Sequence, residues 1–280
     1  VLLAVLLFPS LAPAQDFDKA EFAARRAKLL ARIPDGVAVI LGDVEHPYPL
    51  RFRQSPDFYY LTGLKEPGTV LVLNGVGLEY WADQVISAAH NPRLTVVTAS
   101  EGLAILSGDE DEPGGNPHVW LSPRNAVRLV QNIRDGLVQA DPGGTADYEA
   151  NARRYLERLE TLDREIQQQV SAFTQRRFVS FHAAWAYFAR DYGLQEAAVV
   201  ESRPGQEPSP EEIATIVQTA RSIGARAIFA EPQFSSKAAE AIAEEAGAQV
   251  LFLNPLGAPP DYTYVDMMRA NVREMARALR

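Results

Sequence analysis

Four polar residues of this chain stand where a side chain can be aimed at a ligand: His118, His182, Glu231 and Asn254. His118 lies in Asn116-Pro117-His118-Val119-Trp120-Leu121-Ser122-Pro123, held between two prolines just ahead of a helix start. Ser122 suits the cap of that helix and Pro123 its first turn, so the backbone is pinned on both sides of the histidine. The other three close apolar runs: His182 follows FVSF, Glu231 follows AIFA and Asn254 follows VLFL. In doubly wound sheets ligands bind outside the carboxyl ends of the strands, which makes these three candidates to line one crevice. Two neutral imidazoles facing each other there would suit zinc or a similar divalent ion. Each residue also has a plainer reading. His182 can cap a helix, Glu231-Pro232 can be an ordinary turn, and Asn254 can be a turn residue before Pro255.

The chemistry is further bounded by what the chain contains. With no cysteine there is no disulfide, thiolate site or thiol nucleophile, so a metal must be held by His, Asp, Glu or neutral oxygen donors. A formal charge of −9 argues against a nucleic-acid backbone as partner, because that binding relies on Lys and Arg, and makes cations the more natural ligands. At 280 residues and 47% hydrophobic content, the chain can build two ordinary globular domains.

The elements that must position these residues follow from the pattern. An amphipathic helix is expected over 18–32, a strand over 37–41, an irregular aromatic and proline-rich stretch to 68, then a strand over 69–73, a helix over 78–89 and a strand over 94–98. The acidic run Gly108 to Gly115 reads as a solvated loop, although beside a cation site it could help attract metal. Apolar residues from Tyr148 to Phe173 recur at three- and four-residue steps, which predicts one helix over 145–173, about 40 Å long and able to join two lobes. Beyond it strands at 178–181, 198–200, 227–230 and 250–253 alternate with helices, the signature of a mostly parallel sheet covered by helices. His90 sits at a helix-to-strand turn and is expected to be exposed.

The first fifteen residues, VLLAVLLFPSLAPAQ, read as an apolar leader ending in Ala12-Pro13-Ala14, a small-x-small cleavage pattern. Export is the expectation, and with no cysteine, export without a lipid anchor.

From about 74 to 280 the sequence resembles the zinc- and manganese-binding solute receptors of bacterial ABC importers. The stretches that carry the likeness are NGVGLEYW, LTVVTASEG, NPHVWLSPRNA, FVSFHAAWAYFARDYGL, IFAEPQFSSK, LNPLG and TYVDMMRANV. Residues 17–73, including FAARRAKLLARIPDGVAVILG and FRQSPDFYYLTGLKEPGTVLVL, instead resemble the start of the N-terminal domain of aminopeptidase P, so the chain looks like a junction of two families near Leu73-Asn74. The resemblance implies an α/β fold of two lobes with mostly parallel sheets joined by one long bridging helix, and a metal in the interlobe cleft. It divides the chain into a leader at 1–15, an N-terminal lobe at 16–144 (aminopeptidase P-like to 73, receptor-like from 74), the bridging helix at 145–173 and a C-terminal lobe at 174–280.

The same resemblance implies that His118 and His182 are metal ligands. Asn254 occupies a position where the family usually has aspartate, which would weaken the site or call on a nearby carboxylate. Glu231 is then a residue behind the ligands or an alternative ligand. A first ligand should come from Glu45-His46-Pro47-Tyr48, where His46, with Glu45 as a residue behind it or an alternative ligand, resembles the Glu-His-x-Tyr stretch of zinc receptors, although the same residues also fit aminopeptidase P, where they carry no catalytic role. The expected function is a periplasmic receptor, not an enzyme, that captures zinc, or alternatively manganese, and delivers it to an ABC-type permease. The rivals are a zinc-dependent hydrolase, for which no HExxH or serine elbow is present, and an aminopeptidase P-related fragment without its catalytic domain.

Overall fold

A computed structural model describes residues 70–89, 94–108, 114–201, 207–257 and 263–280. The chain divides into two compact units, Val1–Gly68 and Thr69–Arg280, and every described residue belongs to the second. The leader, the strand at 37–41, Glu45, His46 and His90 lie outside the described residues.

Among the described residues the chain opens with β1 (Val70–Leu73), α1 (Ala82–Ala89) and β2 (Thr95–Thr98), and β1 and β2 pair in parallel with Leu71 opposite Val96. The helix begins four residues later than the sequence pattern suggests. Gly75, Val76 and Gly77 all have positive φ, at 85°, 57° and 77°. Only glycine enters that region without a steric cost, and a β-branched residue there is strained. The turn is held by the Glu79 carboxylate, which accepts from the Asn74 and Gly75 amides at 2.8 and 3.1 Å.

The helix after His118, α2 (Pro123–Ala140), starts as its residues dictate: Ser122 caps it by accepting from the Asn125 amide, and Pro123 fills the first turn. It lies so close to β2 that a Cβ on Gly136 would come within 2.1 Å of Val97 Cγ2. Next comes α3 (Thr145–Ser171), at 27 residues the long helix the periodicity called for. Its inward stripe is Ala152, Leu159, Leu162, Ile166 and Val170, spaced seven, three, four and four apart.

The remainder alternates: β3 (Arg177–Ser180), α4 (Ala186–Tyr192), β4 (Gln195–Val199), α5 (Pro210–Ser222), β5 (Ala227–Ala230), α6 (Lys237–Ala246), β6 (Gln249–Phe252) and α7 (Tyr264–Leu279). All pairings are parallel and the order across the sheet is β4-β3-β5-β6. Neighbouring strand residues go to opposite faces. Phe178, Phe229 and Leu251 pack with Leu162, Ile166, Met268 and Val272 on one side, while Val179 and Ile228 pack with Ile216, Val217, Ile242 and Ala243 on the other. Burial of each such side chain is worth roughly 1.5–3 kcal/mol, which is what fixes the register of the layers. The bidentate Arg269–Glu165 pair, at 2.8 and 3.0 Å, fastens α7 to α3 at the surface. No helix among the described residues is long and apolar enough to cross a membrane.

Candidate metal centre

The strand order puts the chain's reversal between β3 and β5: the connection after β3 runs to β4 on one side, and the connection after β4 crosses back to β5 on the other. A crevice forms outside the carboxyl ends of strands at such a switch point. His182 follows β3 by two residues and Glu231 follows β5 directly, so both emerge there. His182 precedes α4 by four residues and does not cap it. His118 arrives from the first lobe, on the segment that enters the helical turn Val119–Leu121.

The two histidines meet. Nε2 of His118 and Nε2 of His182 are 3.0 Å apart, with ring centroids at 4.8 Å. Each ring is held at its other nitrogen. Nδ1 of His182 donates to Glu231 Oε1 at 2.5 Å, and Nδ1 of His118 donates to Asn116 Oδ1 at 3.0 Å. The orientation of the Asn116 amide is fixed independently, because the same oxygen accepts from the His118 backbone amide at 3.0 Å and its nitrogen donates to the Ala183 carbonyl at 2.6 Å. With both Nδ1 protons committed, each Nε2 carries a lone pair. Two lone pairs thus face each other across a gap in which only a proton or a cation relieves the repulsion. Tetrahedral zinc with bonds of 2.0–2.1 Å would set its two nitrogen ligands about 3.4 Å apart, a few tenths of an ångström from the present spacing.

The surroundings suit a cation. His182 is 7% exposed and Glu231 only 1%, and Glu231 Oε2 is buried without a hydrogen-bond partner among the described residues. An unpaired buried carboxylate oxygen is costly unless positive charge stands nearby. Burial, and then the proximity of His182, lowers the His118 pKa from 6.5 to about 3. Burial also pushes the Glu196 carboxyl up to about 7, against hydrogen bonds from Ser180 Oγ and the Trp185 amide.

Asn254 stands just beyond β6, and its side-chain oxygen is already engaged, accepting from Gln233 Nε2 at 2.6 Å and from the amides of Leu256 and Gly257 at 3.1 and 3.0 Å. Asn271 holds its backbone through both the amide and the carbonyl. Among the described residues no set of three His, Asp or Glu side chains is grouped as a metal cage. The pattern in the sequence did not single out Asn116, Trp120 or Phe234. Trp120 has its ring 5.3 Å from that of His118, and Phe234 has its ring 6.0 Å from that of His182. The only hint was the position of Asn116 two residues before a pinned histidine.

Residues 67–278 match the family described as zinc-uptake complex component A, periplasmic. The chain belongs to that family. A second match, to the aminopeptidase P N-terminal domain, covers residues 22–85, so the two matches share residues 67–85, around Leu73-Asn74, through β1, the turn after it and the start of α1. Among relatives of the zinc-uptake family, a putative metal-binding protein of Treponema pallidum is 32% identical over 223 residues, covering 75% of this chain and 71% of the relative. Zinc-binding protein AdcA of Streptococcus pyogenes is 34% identical over 200 residues, covering 64% of this chain. The chain spans 39% of that streptococcal relative's length. The crystal structure of a zinc-bound ZnuA deletion mutant superposes with a TM-score of 0.68 at 35% identity, covering 76% of this chain and 80% of the other.

Proposed function

We propose that this member of the zinc-uptake family is a periplasmic receptor that captures zinc between His118 and His182 and passes it to the permease of an ABC importer. The observation that carries the proposal is the pair of facing Nε2 atoms with both Nδ1 protons engaged elsewhere. Zinc is the cargo, and the chain's task is binding, not bond making or breaking. Imidazole nitrogens favour zinc over manganese, for which oxygen donors are the better match. The family and its zinc-bound and zinc-binding relatives support the same cargo. The nitrogens of His118 and His182 leave positions for His46, water or further oxygen donors. For Asn254 to supply one, its oxygen must give up some of the three hydrogen bonds it accepts. Glu231 would act from behind His182, orienting the ring and raising its basicity as carboxylates do behind zinc-bound histidines.

The test is a calorimetric titration of metal-free protein with zinc, in parallel with manganese. Wild type should bind zinc with a dissociation constant below micromolar and prefer it to manganese, and His118→Ala with His182→Ala together should weaken binding by at least about a hundred-fold. Undiminished affinity in the double variant would rule the site out. Zinc at about a hundred times its dissociation constant should add about 2.7 kcal/mol of stability.

A further inference from the structure

We propose that Asn116 is a positioning residue with two tasks: it selects the His118 tautomer that leaves Nε2 open, and it holds that ring in register with His182. The inference rests on the reading of His118 and His182 as the metal donors, and goes beyond it by assigning what fixes one of them.

Asn116 is 3% exposed, and every polar group on it is used. Its Oδ1 accepts twice from residue 118, from the backbone amide and from Nδ1, both at 3.0 Å. Its Nδ2 donates 2.6 Å to the carbonyl of Ala183, the residue after His182. Its own carbonyl accepts 2.7 Å from the Tyr187 hydroxyl on α4, and its amide donates 2.9 Å to the Leu106 carbonyl in the first lobe.

One side chain therefore spans from the histidine of the first lobe to the backbone that carries the histidine of the second. A neutral imidazole keeps its single proton on whichever nitrogen finds an acceptor. Here the acceptor is at Nδ1, and its own orientation is locked by two backbone groups. Without it no other acceptor among the described residues retains the proton on that side, and the proton moves to Nε2, the atom that must face the ion. The two histidines also differ in what stands behind them, a carboxylate for His182 and an amide for His118, so His118 is oriented without being given negative charge.

Long-range proton–nitrogen NMR of metal-free protein carrying labelled imidazoles reads the tautomer directly, and zinc titration reads the consequence. In wild type His118 should carry its proton on Nδ1. Asn116→Leu, which keeps the bulk and removes both polar groups, should move the proton to Nε2 and weaken zinc about ten- to hundred-fold, the usual effect of losing a partner behind a ligand. Asn116→Asp keeps the acceptor, loses the donor to Ala183 and adds a negative charge that itself favours a proton on Nδ1, so it should keep the Nδ1 proton whether or not the leucine variant folds. An unchanged tautomer in the leucine variant, or a ring protonated at Nε2 and not at Nδ1 in the aspartate variant, would overturn the assignment. A wild type that fails to bind zinc would instead overturn the metal site, while the tautomer spectra would still decide the role of Asn116.

Discussion

Glu231 stands directly behind His182, its Oε1 2.5 Å from Nδ1 and its other oxygen buried without a partner among the described residues. Glu231→Gln keeps the size of the side chain and removes its charge. Zinc affinity measured by calorimetry should fall about ten- to hundred-fold while the fold persists. An affinity within two-fold of wild type would show that the carboxylate does not act on the metal through His182.

The pH dependence of the metal-free protein follows from His118. Its pKa is lowered by burial to about 3, whereas in the unfolded chain it returns to about 6.5. Between these values the unfolded state binds more protons, so stability rises with pH across the window and is lost as pH falls from 6.5 towards 3. The slope from this one group is at most about 1.4 kcal/mol per pH unit. Glu196, raised to about 7, works in the opposite sense between 4.5 and 7, because its folded form holds the extra proton there. Urea melts of wild type and His118→Gln over this range separate the two. The variant should lose less stability than wild type on acidification, and parallel curves would contradict the assignment.

A charge test addresses Asn254. Asn254→Asp retains an acceptor for Gln233 and for the two backbone amides and adds a negative charge near the strand ends. If residue 254 contributes to the metal site, zinc should bind roughly ten-fold more tightly, because a carboxylate offsets the dication where an amide does not. An unchanged titration curve would place Asn254 among the structural residues of the loop.

The long helix makes a prediction about stability alone. Ile166 is fully buried between α3 and the sheet, so Ile166→Ala should cost about 2–5 kcal/mol, read as a drop in melting temperature at unaltered zinc stoichiometry.

Much of this was legible in the sequence because it was local. The stripe from Ala152 to Val170, the cap at Ser122 and the strand at Ala227–Ala230 each follow from neighbouring residues, and the switch-point rule placed His182 and Glu231 at the ends of adjacent strands. What escaped was set over long separations or by backbone geometry. The delayed start of α1 depends on three successive positive φ angles. Asn116 depends on an amide reaching Ala183, 67 residues away, and the engagement of Asn254 depends on Gln233 and Asn271. No periodicity encodes such contacts.

The bonds around His118 reach across to the second lobe at several points: Asn116 to Ala183, Tyr187 to Asn116, Trp120 Nε1 to the Pro255 carbonyl at 2.9 Å, and Tyr264 to the Trp120 carbonyl at 2.8 Å. In mechanical terms the first lobe's histidine is latched to the second lobe. Unlatching it would break about four hydrogen bonds, each worth roughly 0.5–1.5 kcal/mol, so a gaping form would be populated by roughly one molecule in thirty to one in twenty-five thousand. The dwell time of a bound ion would then be governed by the latch as well as by the strength of its coordination.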